Sequence, residues 1–256
     1  MLLAMNHPHD EIVAIYGRHA VYEAVTKAPH AVKRVLYEAG RQDDQIKNAA
    51  RAAGIQIDGF PVGQAPRSIP HDAVHQGFVA LVSADRLMKQ YDEFMKTLEV
   101  TPNTALIVLG EVQDPHNVGA VIRSAAAFGV AAVIVPEHRQ APITGTVVKV
   151  SAGMAFQVPL ISVGNVNQTL RDLKERGFWT YGLDGEAKHT VTEEQFEKPS
   201  VFILGNEGTG IREKTLDLCD ITLRIPMHKG AESLNASASA AVALYAWSAR
   251  HPGALS

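Results

Sequence analysis

Apolar and polar positions follow two rhythms along the chain. In residues 1–84, short apolar runs alternate with amphipathic stretches. "EIVAIYG", "VKRVLYE", "IQIDGF" and "GFVALV" read as strands. "RHAVYEAVTK" reads as a helix with Val21, Tyr22 and Val25 on one side, and "DDQIKNAARAAG" as a second. Asp43 is placed to cap that second helix and Gly54 to stop it. This predicts a small α/β domain. Residues 85–103 read as a polar linker, in which "RLMKQYDEFMKTL" puts Leu87, Tyr91, Phe94 and Leu98 on one helical side and "TPNT" marks a break.

From Thr104 to the end the rhythm changes. "TALIVLG", "AAVIVP", "FWTYGLD", "SVFILG" and "ITLRIP" are near-continuous apolar runs, as suits a parallel sheet covered on both faces. Helices are expected between and after them, over 118–128, 144–156, 166–176, 211–218 and 235–249. Gly129 and Gly177 stand where helices should end. The pattern predicts an open, doubly wound α/β domain over 104–256. Ligands gather beyond the C-terminal strand ends of such sheets.

Three of those strand ends carry unusual loops. In "DPHNVGAVIRSAAAFGV" (114–130), Val118, Val121, Ile122, Ala125 and Phe128 form a core-facing stripe, and Arg123 lies off it among small residues. Read alone, Arg123 is a solvated arginine paired with a carboxylate, Asn117 a helix cap and His116 a loop residue. "LGNEGTGI" (204–211) has glycines at 205, 208 and 210, which allow positive φ and close backbone approach, with Glu207 among them. It is neither G-x-G-x-x-G nor a Walker loop, so dinucleotide and triphosphate binding are unsupported. "IPMHKGAESLNASASAAVALYAW" ends a strand at Ile225-Pro226 and opens an alanine-rich helix at Ser233 and Asn235, which singly read as caps.

Composition adds limits. Apolar residues are 46% and charged residues 20%, an ordinary globular balance, and no apolar run could span a bilayer. The opening "MLLAMNHPHDEIV" turns polar too soon for a signal peptide, so a cytoplasmic protein is expected. The single cysteine and the spacing of eleven histidines offer no metal cluster. Net charge is −3, with neither part strongly basic, which rules out bulk polyelectrolyte binding and by itself favours a small-molecule enzyme. Any nucleic-acid role must use local patches and shape.

Together the three loops, in this order and spacing, resemble the three motifs of the SpoU/TrmH family, the SPOUT-class RNA ribose 2′-O-methyltransferases. The resemblance covers about residues 104–250. "KVSAG" (149–153) and "GLDGEA" (182–187) look like further family segments, while "YGRHAVYEAV" and "HQGFVALV" resemble the ends of its RNA-binding domain. It implies a SPOUT-type open parallel sheet with a C-terminal trefoil knot, preceded by a small L7Ae/L30e-like α/β domain at 1–84. It also implies S-adenosylmethionine as cofactor, no metal, and a homodimer with its active site at the subunit interface. The two-domain layout looks most like enzymes that methylate a guanosine of 23S ribosomal RNA. Transfer RNA, an antibiotic-resistance site or a non-catalytic ribosome-assembly role are the alternatives.

The resemblance makes Arg123, Asn117, Glu207, Ser233 and Asn235 the catalytic set. Arg123 would steady the ribose oxygen or the RNA phosphate, with Glu207 and Asn117 orienting it or the ribose. A guanidinium deprotonated by its surroundings, acting as base, is the alternative. Ser233 and Asn235 would shape the methyl-transfer corner. Gly205, Ile225 and Leu234, with Leu183, Asp184, Gly185, Leu204, Asn206 and Met227, would hold the cofactor. Two departures from the family pattern are Ala236, where valine is commoner, and Gln140, where serine is. For RNA contact the candidates are Arg18, His19, Lys33 and Arg34, which could equally be ordinary surface charge.

Overall fold

The computed structural model describes residues 12–255 apart from Gln42 and Glu232, so the opening "MLLAMNHPHDE" lies outside the described residues. The chain forms two compact units that divide between Met88 and Lys89. In the first, β1 (Ile12–Tyr16), β2 (Val32–Glu38), β3 (Gln56–Phe60) and β4 (Phe78–Ser83) make a sheet in the order β1-β4-β2-β3. β4 pairs antiparallel with both β1 and β2, and β3 parallel with β2. Helix α1 (Arg18–Lys27) buries Val21, Ala24 and Val25, an i, i+3, i+4 set that leaves Tyr22 half-buried rather than on the core side. Helix α2 (Asp44–Ala52) begins at Asp43, whose side chain accepts from Ile46 N, and Gly54 follows it at φ 69°.

The second unit is an eight-stranded sheet. Its strands are β5 (Met88–Gln90), β6 (Ala105–Leu109), β7 (Ala132–Pro136), β8 (Leu160–Val163), β9 (Trp179–Leu183), β10 (His189–Thr190), β11 (Ser200–Leu204) and β12 (Ile221–Arg224). Their order is β10-β12-β9-β11-β6-β7-β8-β5, and every pairing from β10 through to β8 is parallel. All five residues of β6, β7 and β11 are buried, which requires cover on both faces. One face packs Leu106, Val108, Ile134, Ile161, Val201 and Ile203 against Phe94 of α3 (Tyr91–Thr97) and Leu170 and Leu173 of α6 (Val166–Glu175). Tyr91 and Leu98 join that cluster, so the polar stretch after residue 85 supplies a packed helix. The hydroxyl of Tyr91 donates to Asp172 of α6, and burial with that carboxylate pushes its ionisation well above the usual range.

The remaining helices are α4 (Pro115–Ala127), α5 (Gly145–Val150), α7 (Glu213–Leu216) and α8 (Ala236–Arg250), with α4 packed on both α5 and α8. The expected helix over 144–156 is interrupted: Ala152 and Gly153 take φ 53° and 83°, and only a 3-10 turn, Met154–Phe156, follows. The helix expected over 211–218 shrinks to one turn because Arg212 is extended. The strand "LISV", β8, was not among the expected runs. In α4, Val118, Val121, Ile122 and Ala125 are fully buried, but Phe128 is half-buried and meets Tyr245 of α8 edge-on.

Gly119 shows how tightly α4 is held. A Cβ there would stand 2.7 Å from Val150 Cβ and 2.8 Å from Val147 O of α5. Helix propensity alone favours Gly119→Ala by about 1 kcal/mol. The contact reverses the sign, and urea unfolding should show Gly119→Ala destabilised by about 1–3 kcal/mol. A gain in stability would show that the two helices can separate freely.

Candidate active site

The first loop leaves β6 at Gly110, where a Cβ would fall 2.1 Å from the carbonyl oxygen of Leu204 on the neighbouring strand. Val112 is then clamped by Gln140, which accepts from its N–H at 2.9 Å and donates to its carbonyl at 2.7 Å. The commoner serine is too short for both bonds, so the departure at Gln140 is a working clamp. The loop enters α4 through Asp114, whose side chain accepts from His116 N, and Pro115 at the first helical position. The helix thus starts earlier than its apolar stripe suggests. Asn117 is in its first turn and is not the cap, and His116 is helical and exposed rather than a loop residue.

The second loop folds on itself. Asn206 and Gly210 exchange backbone hydrogen bonds at 3.0 and 2.9 Å, and the Asn206 side chain accepts from Gly208 N and Thr209 N while donating to Glu111 O. Gly205 has no room for a Cβ, which would stand 2.2 Å from the backbone of Gly210. This geometry sends Glu207 to the start of α4. Its carboxylate accepts from Asn117 Nδ2 at 3.0 Å and from Gln113 N and Asp114 N at 3.3 Å each. Burial pushes its pKa up, but the donors, Asn117 foremost, outweigh that and hold it below the usual glutamate value.

The third loop closes the set. Asn235 caps α8, accepting from Ser237 N at 2.8 Å and Ala238 N at 3.4 Å, and its amide donates to Asn117 Oδ1 at 2.8 Å. The cap and the site residue are therefore one and the same. Glu207, Asn117 and Asn235 form a chain of hydrogen bonds across residues 90 and 118 apart in sequence.

Beside this chain lies a cavity of about 320 Å³ at the C-terminal ends of β9, β11 and β12. Its lining includes Leu183, Asp184, Gly185, Leu204, Gly205, Asn206, Ile225, Met227 and Leu234, together with Glu207, Ser233 and Asn235. Gly210 of the glycine loop and Ala236 also line it, as do Leu223 and Ser239, which were not singled out in the sequence. For Leu223, the end of the run "ITLRIP" was the available signal. Apolar walls from Leu183, Leu204, Leu223 and Ile225, with open backbone at three glycines and carboxylates at Asp184 and Glu207, suit a flat heterocycle carrying polar and cationic groups.

Arg123 is not drawn into this network. It is exposed, and it has neither an ion-pair nor a hydrogen-bond partner among the described residues, so the carboxylate pairing expected of a lone helix arginine is absent. Nor do Glu207 and Asn117 orient it, because they are occupied with each other and with Asn235. Asn117 and Arg123 lie roughly 120° apart around the helix, which is why one faces the loops and the other does not. In the first unit, Arg18 pairs with Asp43 at 2.5 Å and Arg34 with Asp58 at 3.3 Å. His19 is exposed and Lys33 half-buried. Among the described residues no helix is long and apolar enough to cross a membrane, and no group of three His, Cys, Asp or Glu could hold a metal.

A folded-state pKa below the unfolded value makes the Glu207 contribution full above the unfolded value and lost as pH falls through the folded one. Glu207→Gln should therefore be less stable than wild type at pH 7 in urea titrations. The gap should narrow at pH values below the ordinary glutamate range. A gap that stays constant with pH would show that the carboxylate charge is not what holds the loops.

The sequence profile described as the SpoU rRNA Methylase family matches residues 104–245, and that described as RNA 2′-O ribose methyltransferase substrate binding matches residues 14–88. Among relatives, the 23S rRNA (guanosine-2′-O-)-methyltransferase RlmB of Vibrio parahaemolyticus is 38% identical over 236 residues, which is 90% of this chain and 94% of that protein. The protein of the same name from Pseudomonas aeruginosa is 38% identical over 237 residues, with the same coverage. Among solved structures, the SpoU methyltransferase AviRb from Streptomyces viridochromogenes superposes with a TM-score of 0.78 at 24% identity, covering 94% of this chain and 91% of that one. The AdoMet-bound rRNA methyltransferase from Sinorhizobium meliloti gives 0.78 at 20% identity, covering 94% and 87%. At those identities the structural likeness is one of fold. The profile match across more than half of the chain, with relatives that align along nearly all of it, places this protein in the SpoU methylase family.

Proposed function

We propose that this protein transfers a methyl group from S-adenosylmethionine to the ribose 2′-hydroxyl of a guanosine in 23S ribosomal RNA. The observation that carries the reading is the junction of the three loops: one hydrogen-bonded chain, Glu207–Asn117–Asn235, stands at the edge of a cavity of cofactor size. The relatives named for this reaction align with both units, which supports the RNA and the base.

The cofactor, once bound, supplies a methyl group already activated on a sulfonium. The chain's own residues must then align the ribose hydroxyl and deal with its proton. The cavity walls named above would hold the cofactor, with Gly205, Leu234 and Ile225 offering backbone groups. Glu207 and Asn117, fixed by each other, would set the floor on which the ribose rests, and Ser233 and Asn235 would shape its corner. Arg123 would meet the RNA phosphate or the developing alkoxide as a fixed positive charge.

The proposal includes a homodimer. Val242 and Tyr245 of α8 are 38% and 63% exposed, on a helix packed against α4, and Arg123 stands exposed on α4 without a partner among the described residues. A second copy over this face would bring Arg123 to a site with another chain's loops. The place of β12 between β9 and β10, with α8 following it, supports a knotted C-terminal path. The proposal further takes the first unit as an L7Ae/L30e-like RNA-binding domain over 1–84, joined through 85–103 to the methyltransferase domain. Contact through Arg18, His19, Lys33 and Arg34, a metal-free reaction and a cytoplasmic location complete it.

Arg123→Ala should lower methyl transfer to 23S ribosomal RNA by at least about 100-fold while S-adenosylmethionine binding, measured by calorimetry, stays within a few-fold of wild type. Full activity in that variant would remove Arg123 from the reaction.

A further inference from the structure

A second cleft opens at the same end of the second unit's sheet, beyond β6, β7, β8 and β11, with a volume of about 450 Å³. It shares a wall with the cofactor-sized cavity. Gly110 and Glu111 line it, Asn206 of the glycine loop donates to Glu111 O at 2.9 Å, and Ile211 and Arg212 continue that loop into it. Ile203 and Ile211 make an apolar floor, and the rim is polar.

The charge in this cleft is unbalanced. Its one carboxylate, Glu111, is taken up by Arg212 at 2.7 Å. His138 and Arg139 are exposed and have no partner among the described residues. Arg139 is held at φ 58°, a region that side chains rarely occupy, and Glu111 opposite is held at φ 67°. The start of α6, a ten-residue helix capped by Asn165, also lines the cleft and adds the positive end of its dipole. The neighbouring hollow, lined by Asp92, Glu137 and Asp172, is acidic by contrast. On a chain of net charge −3, a cleft with a spare arginine and an imidazole beside the proposed reaction site suits an anion.

We propose that this cleft is a second RNA subsite, which takes a backbone phosphate of a nucleotide flanking the methylated ribose on Arg139 and His138. The proposal rests on the methyltransferase reading, which supplies the RNA. A strand laid across the Glu111–Asn206 wall has its target ribose at the first cavity and its neighbour over the second. Arg212 remains with Glu111, so Arg139 is the cation that the phosphate engages.

Arg139→Gly removes the charge and suits the backbone at φ 58°, so it tests the contact without straining the fold. With a 23S ribosomal RNA fragment, KM for RNA should rise about tenfold with kcat within about twofold, and S-adenosylmethionine binding should not change. The slope of log affinity for RNA against log salt should fall by about one. Unchanged KM and salt slope would overturn the proposal. Inorganic phosphate is the probe for the other source of the same chemistry. If its binding is lost in Arg139→Gly while the RNA parameters stay, the cleft is a small-anion site and the RNA assignment falls. If the wild type methylates no RNA, the catalytic reading fails, and the salt slope alone still decides the cleft.

Discussion

One carboxylate holds the candidate site together. Glu207 sits on a loop that could otherwise point anywhere, and it is drawn onto three donors at the start of α4, two backbone N–H groups and the amide of Asn117. Asn117 is buried, so leaving its amide without an acceptor costs more than the bond itself gains, whereas water could serve the exposed N–H groups of Gln113 and Asp114. Asn117 passes the constraint on to Asn235, and Asn235 fixes the first turn of α8. Three strand ends thereby act as a single wall.

That wall depends on backbone positions where nothing larger than hydrogen fits. Gly110 passes under the Leu204 carbonyl and Gly205 under Gly210, so the first and second loops lie closer than any side chain would allow. The closeness lets a side chain as short as asparagine bridge them. It also leaves Arg123 outside. Arg123 stays solvated on the open side of a helix otherwise buried against α5 and α8, with no ion pair among the described residues to occupy its charge. In the proposed dimer, an RNA backbone brought in across the subunit boundary would meet that free charge.

Much of this was legible in the sequence because it follows from apolar runs. β6, β7, β9, β11, β12, α1, α6 and α8 lie where the apolar pattern put them, and the three loops showed themselves by residue types that a plain turn does not need. What escaped was set by distant contacts or by short length. β5 and β10 have three and two residues, too few for a pattern, and β8, as short as β12, was passed over. Asn117 looked like a cap because the apolar stripe begins at Val118, whereas Pro115 and Asp114 start the helix earlier. The Gln140 clamp joins residues 28 apart and leaves no local signature. That Arg123 has no partner among the described residues could not be read from its neighbours, since small residues around it fit a buried pair and an open face equally well.

The central claim is that this wall serves methyl transfer to one ribose of the large-subunit RNA. The most direct measurement is a map of 2′-O-methylation across ribosomal and transfer RNA in strains with and without this protein. The proposed function predicts the loss of a single mark, on a guanosine of 23S ribosomal RNA, with every other mark retained. An unchanged map, or a loss confined to transfer RNA, would contradict it.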